Sequence, residues 1–260
     1  MPLSEEKPIT EVTTMINEAT ISKLYEMKLS TMAATYRQQA NDNGINKLSF
    51  DERFGLLADN EWTSRKNNRL KRLIGSADFP VSGACVEDID YSIDRKLDRE
   101  QIAQLATCAY IVDKRNIIIL GATGSGKTFL SCALGMSACR YFYTVKYIRL
   151  PDLLNELFVA RGEGIFKRVI QGYKKYDLLI IDEWLLIPLE NSENRDLLEI
   201  IEVRASRCST IFSSQFDPAG WQLKIGEGAL AEAILDRIIH DSYTILIEGA
   251  ESMRAKNQRK

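Results

Sequence analysis

The chain has 260 residues, 45% hydrophobic and 27% charged, with 34 Lys and Arg against 36 Asp and Glu for a formal charge of −2. That length suits one large domain or a small domain joined to a larger one. The charge balance excludes a uniformly basic nucleic-acid coat and leaves room for a local basic face. The longest apolar runs, such as Ile117–Leu120 and Leu178–Ile181, fall far below the roughly 18 residues that cross a bilayer. The opening MPLSEEKPIT lacks the basic start and apolar stretch of an export signal, so a cytoplasmic protein with no membrane partner is expected. Cys85, Cys108, Cys132, Cys139 and Cys208 form no CxxC pair and read as free thiols. His240 is the single histidine, which excludes any mechanism needing two.

Residues 1–15 are polar and without period, the signature of a frayed arm. Ile21, Tyr25, Leu29, Met32 and Tyr36 then recur at helical spacing, and Gly44 can end that helix. Ser49-Phe50-Asp51-Glu52 is a capping box, and the helix it opens should run to about Leu73 with Phe50, Phe54 and Leu57 on one face. Two amphipathic helices cannot bury their stripes alone, so they form a small all-α domain or dock on the rest of the chain. The stretch from Gly75 to Asp94 holds Gly, Pro and Ser and then a run of acids, and reads as a linker or extended strap. The expected division is a helical domain at 1–74, a strap at 75–97 and a larger domain at 98–260, which a short helix from Asp98 to Ala109 opens. From Asn116 onward, β-rich runs at 116–120, 145–149, 177–182, 210–214 and 243–247 alternate with helical stretches. Continuous apolar strands between helices predict an α/β fold with a parallel sheet covered on both faces.

The first of those runs leads into Gly121-Ala122-Thr123-Gly124-Ser125-Gly126-Lys127-Thr128, a complete G-x-x-x-x-G-K-T with a helix behind it. Such a loop curls successive backbone N–H groups inward and adds the positive end of a helix, the arrangement that holds phosphates. Lys127 supplies a charge near the β- and γ-phosphates of ATP, and the Thr128 hydroxyl can coordinate Mg²⁺. The third run ends in Asp182-Glu183, where α/β sheets place their ligands. Asp182 suits the Mg²⁺ shell and Glu183 a water attacking the γ-phosphate; the alternative is an acid pair that only solvates the loop. The fourth run ends in Ser213-Ser214-Gln215, and a polar side chain there can register a γ-phosphate, although polar residues end many strands. Arg237 and Arg254 lie late in the chain, where a lone arginine is commonly a surface or ion-pair residue.

Two basic segments stand out. Glu61–Arg72 carries five basic residues (Arg65, Lys66, Arg69, Lys71, Arg72) against one acid. Ala160–Tyr176 carries Arg161, Lys167, Arg168, Lys174 and Lys175, also against one acid. A solvated helical face is the ordinary reading of either.

Taken together, the stretches LSFDERFGLLADNEWTSRKNNRLKRLI, GATGSGKTFLSCALG, YDLLIIDEW, STIFSSQF followed by GW, AILDRIIH and GAESMR resemble the IstB-like ATP-binding helper proteins of insertion sequences, in the DnaC/DnaA branch of AAA+ ATPases. The loop and the Asp-Glu pair alone identify only a P-loop ATPase; the helical preamble and the tail point to this group. The resemblance implies an AAA+ ATPase domain with five parallel strands behind a helical domain, an oligomer in a ring or spiral, and duplex DNA and a cognate transposase as partners. It implies that Arg237 reaches into a neighbouring subunit's site, that Arg254 contacts phosphate as a second sensor, and that Gln215 stands at a first-sensor position usually held by Asn. Trp184 replaces a small or aliphatic residue and is either a subunit contact or core packing. The branch's extra helix directed at DNA favours the Arg161–Lys175 segment as the duplex-binding face. The sequence leaves open a DnaC-type replicative helicase loader, a P-loop kinase (against which Glu183 and Arg237 argue) and a non-catalytic ATP-gated scaffold. No separate acidic triad with recombinase spacing is apparent, so strand cutting is not expected of this chain.

Overall fold

The computed structural model describes residues 9–92, 95–226, 228–249 and 253, and it divides into two compact units, Met1–Lys71 and Arg72–Lys260. Arg254, expected as a second sensor, and the first eight residues of the expected frayed arm lie outside the described residues. Among the described residues no helix is long and apolar enough to cross a membrane.

In the first unit, α1 (Ile9–Glu26) and α2 (Ser30–Asn41) pack together, and α3 (Phe50–Ala77) begins after a 3-10 turn at Asn43–Lys47. Helix therefore replaces the expected frayed arm from Ile9 onward. The stripe from Ile21 to Tyr36 belongs to two helices rather than one. Lys28 adopts φ 59°, Leu29 N–H donates to Leu24 O at 2.8 Å and Lys28 N–H to Tyr25 O at 2.9 Å. This is a Schellman stop with lysine where glycine is usual. The capping box forms: Ser49 N–H donates to Glu52 at 2.7 Å and Glu52 N–H to Ser49 Oγ at 3.3 Å. The expected apolar face of α3 does not turn inward. Phe50 and Phe54 stack on each other at 6.0 Å and stay exposed. What α3 offers α2 is polar: buried Glu61 accepts Met32 N–H at 2.9 Å, and Ser64 Oγ accepts from Thr31 Oγ1 at 2.9 Å. Glu61 thus caps α2 from another helix, satisfying a first-turn N–H that no local side chain reaches.

In the second unit, five parallel strands lie in the order β2-β3-β4-β1-β5. They are β1 (Asn116–Gly121), β2 (Val145–Arg149), β3 (Leu178–Asp182), β4 (Ser209–Ser214) and β5 (Ser242–Ile247). Each coincides with an expected run to within a residue. α4 (Arg99–Ala106), whose first turn is capped by Asp98, and α5 (Ala109–Val112) precede the sheet. α6 (Lys127–Arg140) follows β1 and covers one face. α7 (Leu150–Gly162), α8 (Phe166–Tyr173), α9 (Asn191–Arg204), α10 (Pro218–Ile225) and α11 (Ala229–Ile239) complete the chain order. Side chains alternate across a strand. Ile118, Leu179, Ile181 and Phe212 therefore face a core built with Leu153, Leu157, Leu197, Ile200, Trp221 and Ile234 from those later helices.

The strap packs within this unit. Ala77, Ala84 and Ile89 are buried, and Phe79 lies over α6 at Gly135, where a Cβ would come within 2.7 Å of its ring. Arg204 is 2% exposed and donates to four acceptors, Thr210 Oγ1 and the carbonyls of Tyr173, Tyr176 and Ser209. It ties α9 to the start of β4 and the end of α8.

Candidate nucleotide site

The order of the sheet brings the functional ends together. β4 lies between β1 and β3, so the loop leaving β1 and the acids leaving β3 emerge at the same C-terminal edge. Between them opens a cavity of about 670 Å³, lined by Thr123, Gly124, Gly126, Lys127 and Thr128 from the loop, Asp182 and Glu183 from β3, and Ser213 and Gln215 from β4. Pro80 and Val81 of the strap close one side.

Within the loop, Ser125 N–H donates to Ala122 O at 3.2 Å, and Lys127 Nζ lies 2.8 Å from both Gly121 O and Ala122 O. Thr128 Oγ1 donates to Asp182 Oδ2 at 2.6 Å. Asp182 is 4% exposed and both its oxygens accept hydrogen bonds: Oδ2 also accepts Tyr147 OH at 2.8 Å, and Oδ1 accepts Glu183 N–H at 2.9 Å. Burial, together with the Asp182 charge, holds the Tyr147 phenol far above its ordinary range, so it remains a donor. An adjoining hydroxyl and carboxylate are hard oxygen donors of the kind Mg²⁺ takes. Thr128 and Asp182 therefore fit such an ion.

Directly after the strand the backbone turns sharply, with Glu183 at φ 55° and Trp184 N–H bonded to Ser213 O at 2.8 Å. A left-handed glutamate is uncommon and marks a position held by its surroundings. Its carboxylate is half-exposed and pairs with Arg149 Nε at 3.1 Å. Trp184 is core: fully buried, it meets Phe212 edge-on at 4.6 Å and Trp221 at 5.9 Å. Of the polar trio ending β4, Ser214 Oγ is spent on Trp184 O and Trp221 Nε1. Ser213 Oγ is buried with no hydrogen-bond partner among the described residues, and Gln215 is exposed at the cavity.

Arg237 is not among the residues lining this cavity. It donates to Ala233 O at 2.8 Å and pairs with Glu202 at 3.2 Å. In the basic segment Lys167, Arg168 and Lys175 are exposed and Lys174 is half-buried. Arg161 is engaged by Asp196 and lies 3.8 Å above the Phe166 ring. In the other basic segment, Arg65 is held by Glu61 at 2.7 Å and Lys66 sits over Trp62 at 3.9 Å.

Sequence reasoning missed Tyr147 and Arg149. Their signal was position alone: Arg149 closes the second run with Tyr147 two residues before it, and a strand beside β3 in parallel must end beside Asp182. The register pairs Arg149 with Asp182.

A phosphate loop behind an inner parallel strand, with Asp-Glu at the end of a strand one removed, defines a P-loop nucleotide-binding protein. Residues 22–260 match the family described as IstB-like ATP binding protein, and the chain belongs to that family. A protein named for ATP binding in insertion sequence IS1162 of Pseudomonas fluorescens is 43% identical over 201 residues, covering 77% of this chain and 87% of that one. Its counterpart in insertion sequence IS21 of Pseudomonas aeruginosa is 30% identical, with 94% and 90% covered. Among solved structures, AMPPCP-bound DnaA from Aquifex aeolicus aligns with TM-score 0.56 at 21% identity, over 69% of this chain and 54% of that chain, about half its length. DnaI aligns with TM-score 0.54 at 22% identity, over 66% and 91%. At these identities the structural likeness speaks to the fold alone.

Proposed function

We propose that this chain hydrolyses ATP, assembles on duplex DNA as a ring or spiral, and assists the transposase of its insertion sequence by marking or bending target DNA without cutting it. The observation that carries the reading is the convergence of Lys127, Thr128, Asp182 and Glu183 on one cavity that Arg237 of the same chain does not line. Among the described residues the site brings together the loop, the metal-holding pair and the base that phosphoryl transfer to water needs, and a second copy would bring a further cation to the far side of the γ-phosphate.

In this scheme Lys127 exchanges the Gly121 and Ala122 carbonyls for β- and γ-phosphate oxygens. Thr128 and Asp182 would hold Mg²⁺, and the ion would supply charge neutralisation at those oxygens. Tyr147 fixes the Asp182 carboxylate, and Glu183 orients a water and draws its proton, steadied by Arg149. Gln215 senses the γ-phosphate from the end of β4, and Arg254 contacts phosphate as a second sensor. Arg237 completes the site of the neighbouring subunit. Lys167, Arg168, Lys174 and Lys175, with Arg161 at the edge of the patch, meet DNA phosphates, so binding is salt-dependent and reads few bases. Assembly repeats these contacts along the duplex, and the avidity can offset a bending cost of ~1–10 kcal/mol. We assign the helical domain at 1–74 to partner contacts and 98–260 to the ATPase, with 75–97 strapped between.

The relatives at 43% and 30% identity are named for insertion sequences, whereas likeness to the DnaC helicase loader, at 15% identity, is one of fold. A transposase is therefore favoured over a hexameric helicase as partner. The test is retention of duplex DNA and of an insertion-sequence transposase, with ATP and with Lys127→Ala. ATP-dependent capture of both, lost in the variant, is expected. Capture of duplex that is indifferent to ATP and to Lys127 would refute the proposal.

A further inference from the structure

The phosphate loop is also held from behind. Arg95, in the strap, is 7% exposed. Its Nη2 donates to Ser125 O at 2.5 Å and its Nη1 to Asp90 O at 2.9 Å. Both acceptors are neutral carbonyls, and among the described residues Arg95 forms no ion pair. The backbone around it is fixed on two sides: Arg95 N–H donates to Ser92 O at 3.0 Å, and Glu248 N–H donates to Arg95 O at 3.2 Å. Lys96 adds an ion pair to Glu248 at 2.6 Å.

Elementary chemistry gives this contact two consequences. The Ser125 carbonyl and the Gly126 N–H belong to one planar peptide, so they point to opposite sides. Fixing the carbonyl on Arg95 fixes the Gly126 N–H away from the guanidinium, and Gly126 lines the nucleotide cavity. The guanidinium also crowds this residue: a Cβ at Gly126, whose φ is +96°, would sit 2.8 Å from Arg95 Nη2. Secondly, the described residues give this buried guanidinium no counter-ion, and a buried cation is favoured when an anion completes it. A polyphosphate on the other side of a single peptide supplies that charge.

We propose that Arg95 is a positioning residue for the bound nucleotide: from behind the loop it sets the Ser125–Gly126 peptide for a nucleoside di- or triphosphate, and the phosphates complete its charge. This rests on the ATP-binding reading of the cavity and adds the strap to the binding machinery. Because Arg95 holds the loop and no contact with Asp182 or Glu183 is seen among the described residues, its loss weakens ADP and ATP alike and shows in affinity and KM more than in kcat.

The test uses the full chain with Arg95→Met, which keeps the apolar stem, and Arg95→Lys, which keeps the charge but cannot reach both carbonyls. Binding of ADP and of a fluorescent ATP analogue, the melting temperature without nucleotide, and KM and kcat are measured for each. The Met variant should bind both nucleotides about tenfold to a hundredfold more weakly, the scale of a lost hydrogen bond from a charged donor. The Lys variant should fall between it and the wild type, and the nucleotide-free melting temperature should change little. If the Met variant does not fold, the Lys variant carries the test. ADP affinity equal to wild type in any folded variant overturns the proposal, as does a fall in kcat with affinity intact. Failure of the wild-type chain to bind ADP or ATP would instead strike the reading of the cavity.

Discussion

Glu183→Gln separates the chemistry of the site from its construction. Among the described residues the Glu183 carboxylate has one ion-pair partner, Arg149, at 3.1 Å, and the two side chains are 38% and 49% exposed. A pair so open to solvent is worth at most about 1 kcal/mol, and glutamine keeps an acceptor oxygen for the same arginine. For a domain of this size that sets the loss of melting temperature at about 4 °C or less. ATP affinity should hold, because Lys127, Thr128 and the loop N–H groups are untouched. Turnover should drop by ~10²–10⁴, the contribution of a positioned general base. The assay is phosphate release at saturating ATP and duplex, with nucleotide binding and calorimetry run on the same preparation. The ATP-bound assembly on DNA should persist longer in the variant. Turnover within about threefold of wild type would refute the role given to Glu183, and so would an affinity loss as large as the rate loss.

Arg237→Ala should keep ATP affinity, since its partners within one chain are Ala233 O and a half-exposed Glu202. It should lose ~10³–10⁵ in turnover, and full turnover would exclude it as a finger. Lys174→Ala with Lys175→Ala should flatten the dependence of duplex affinity on salt by about two charges, and an unchanged slope would move the DNA path elsewhere. Burial pushes the Cys108 and Cys132 thiols up to about 12 and Cys139 to about 11, whereas in the unfolded chain they titrate near 9. Between pH 9 and 11 the unfolded chain gives up protons that the folded one keeps, so these thiols lower stability as pH rises. Urea midpoints should fall across that window, less steeply when the three are replaced by alanine; equal slopes would contradict their burial.

Much of the second unit was legible because its signals are local. Continuous apolar runs such as LLIID and IIIL, short and rich in isoleucine, read as strands buried on both faces, and GATGSGKT between strand and helix carries its own mechanism. Strand order is not local: nothing in VKYIR says that it borders the Asp-Glu strand, so Tyr147 and Arg149 stayed hidden. Arg95 was masked by a stretch whose Gly, Pro and acids signal only an irregular path. The first unit misled for a different reason. Lys28 ends α1 without glycine, so the stripe ran unbroken across the stop. The Phe50 and Phe54 face looked like core, while the contact chosen was Glu61 with the start of α2, which a hydrophobic pattern does not register.

The most direct test of a nucleotide shared between two copies is complementation by mixing. Glu183→Gln subunits retain Arg237, and Arg237→Ala subunits retain Glu183; each preparation alone should be nearly inactive on duplex DNA. Combined, they should recover turnover far above the sum of the two, because Glu183→Gln subunits bring Arg237 to neighbouring sites whose own Glu183 is intact. No gain on mixing, with both variants shown to co-assemble on the same duplex, would contradict the account.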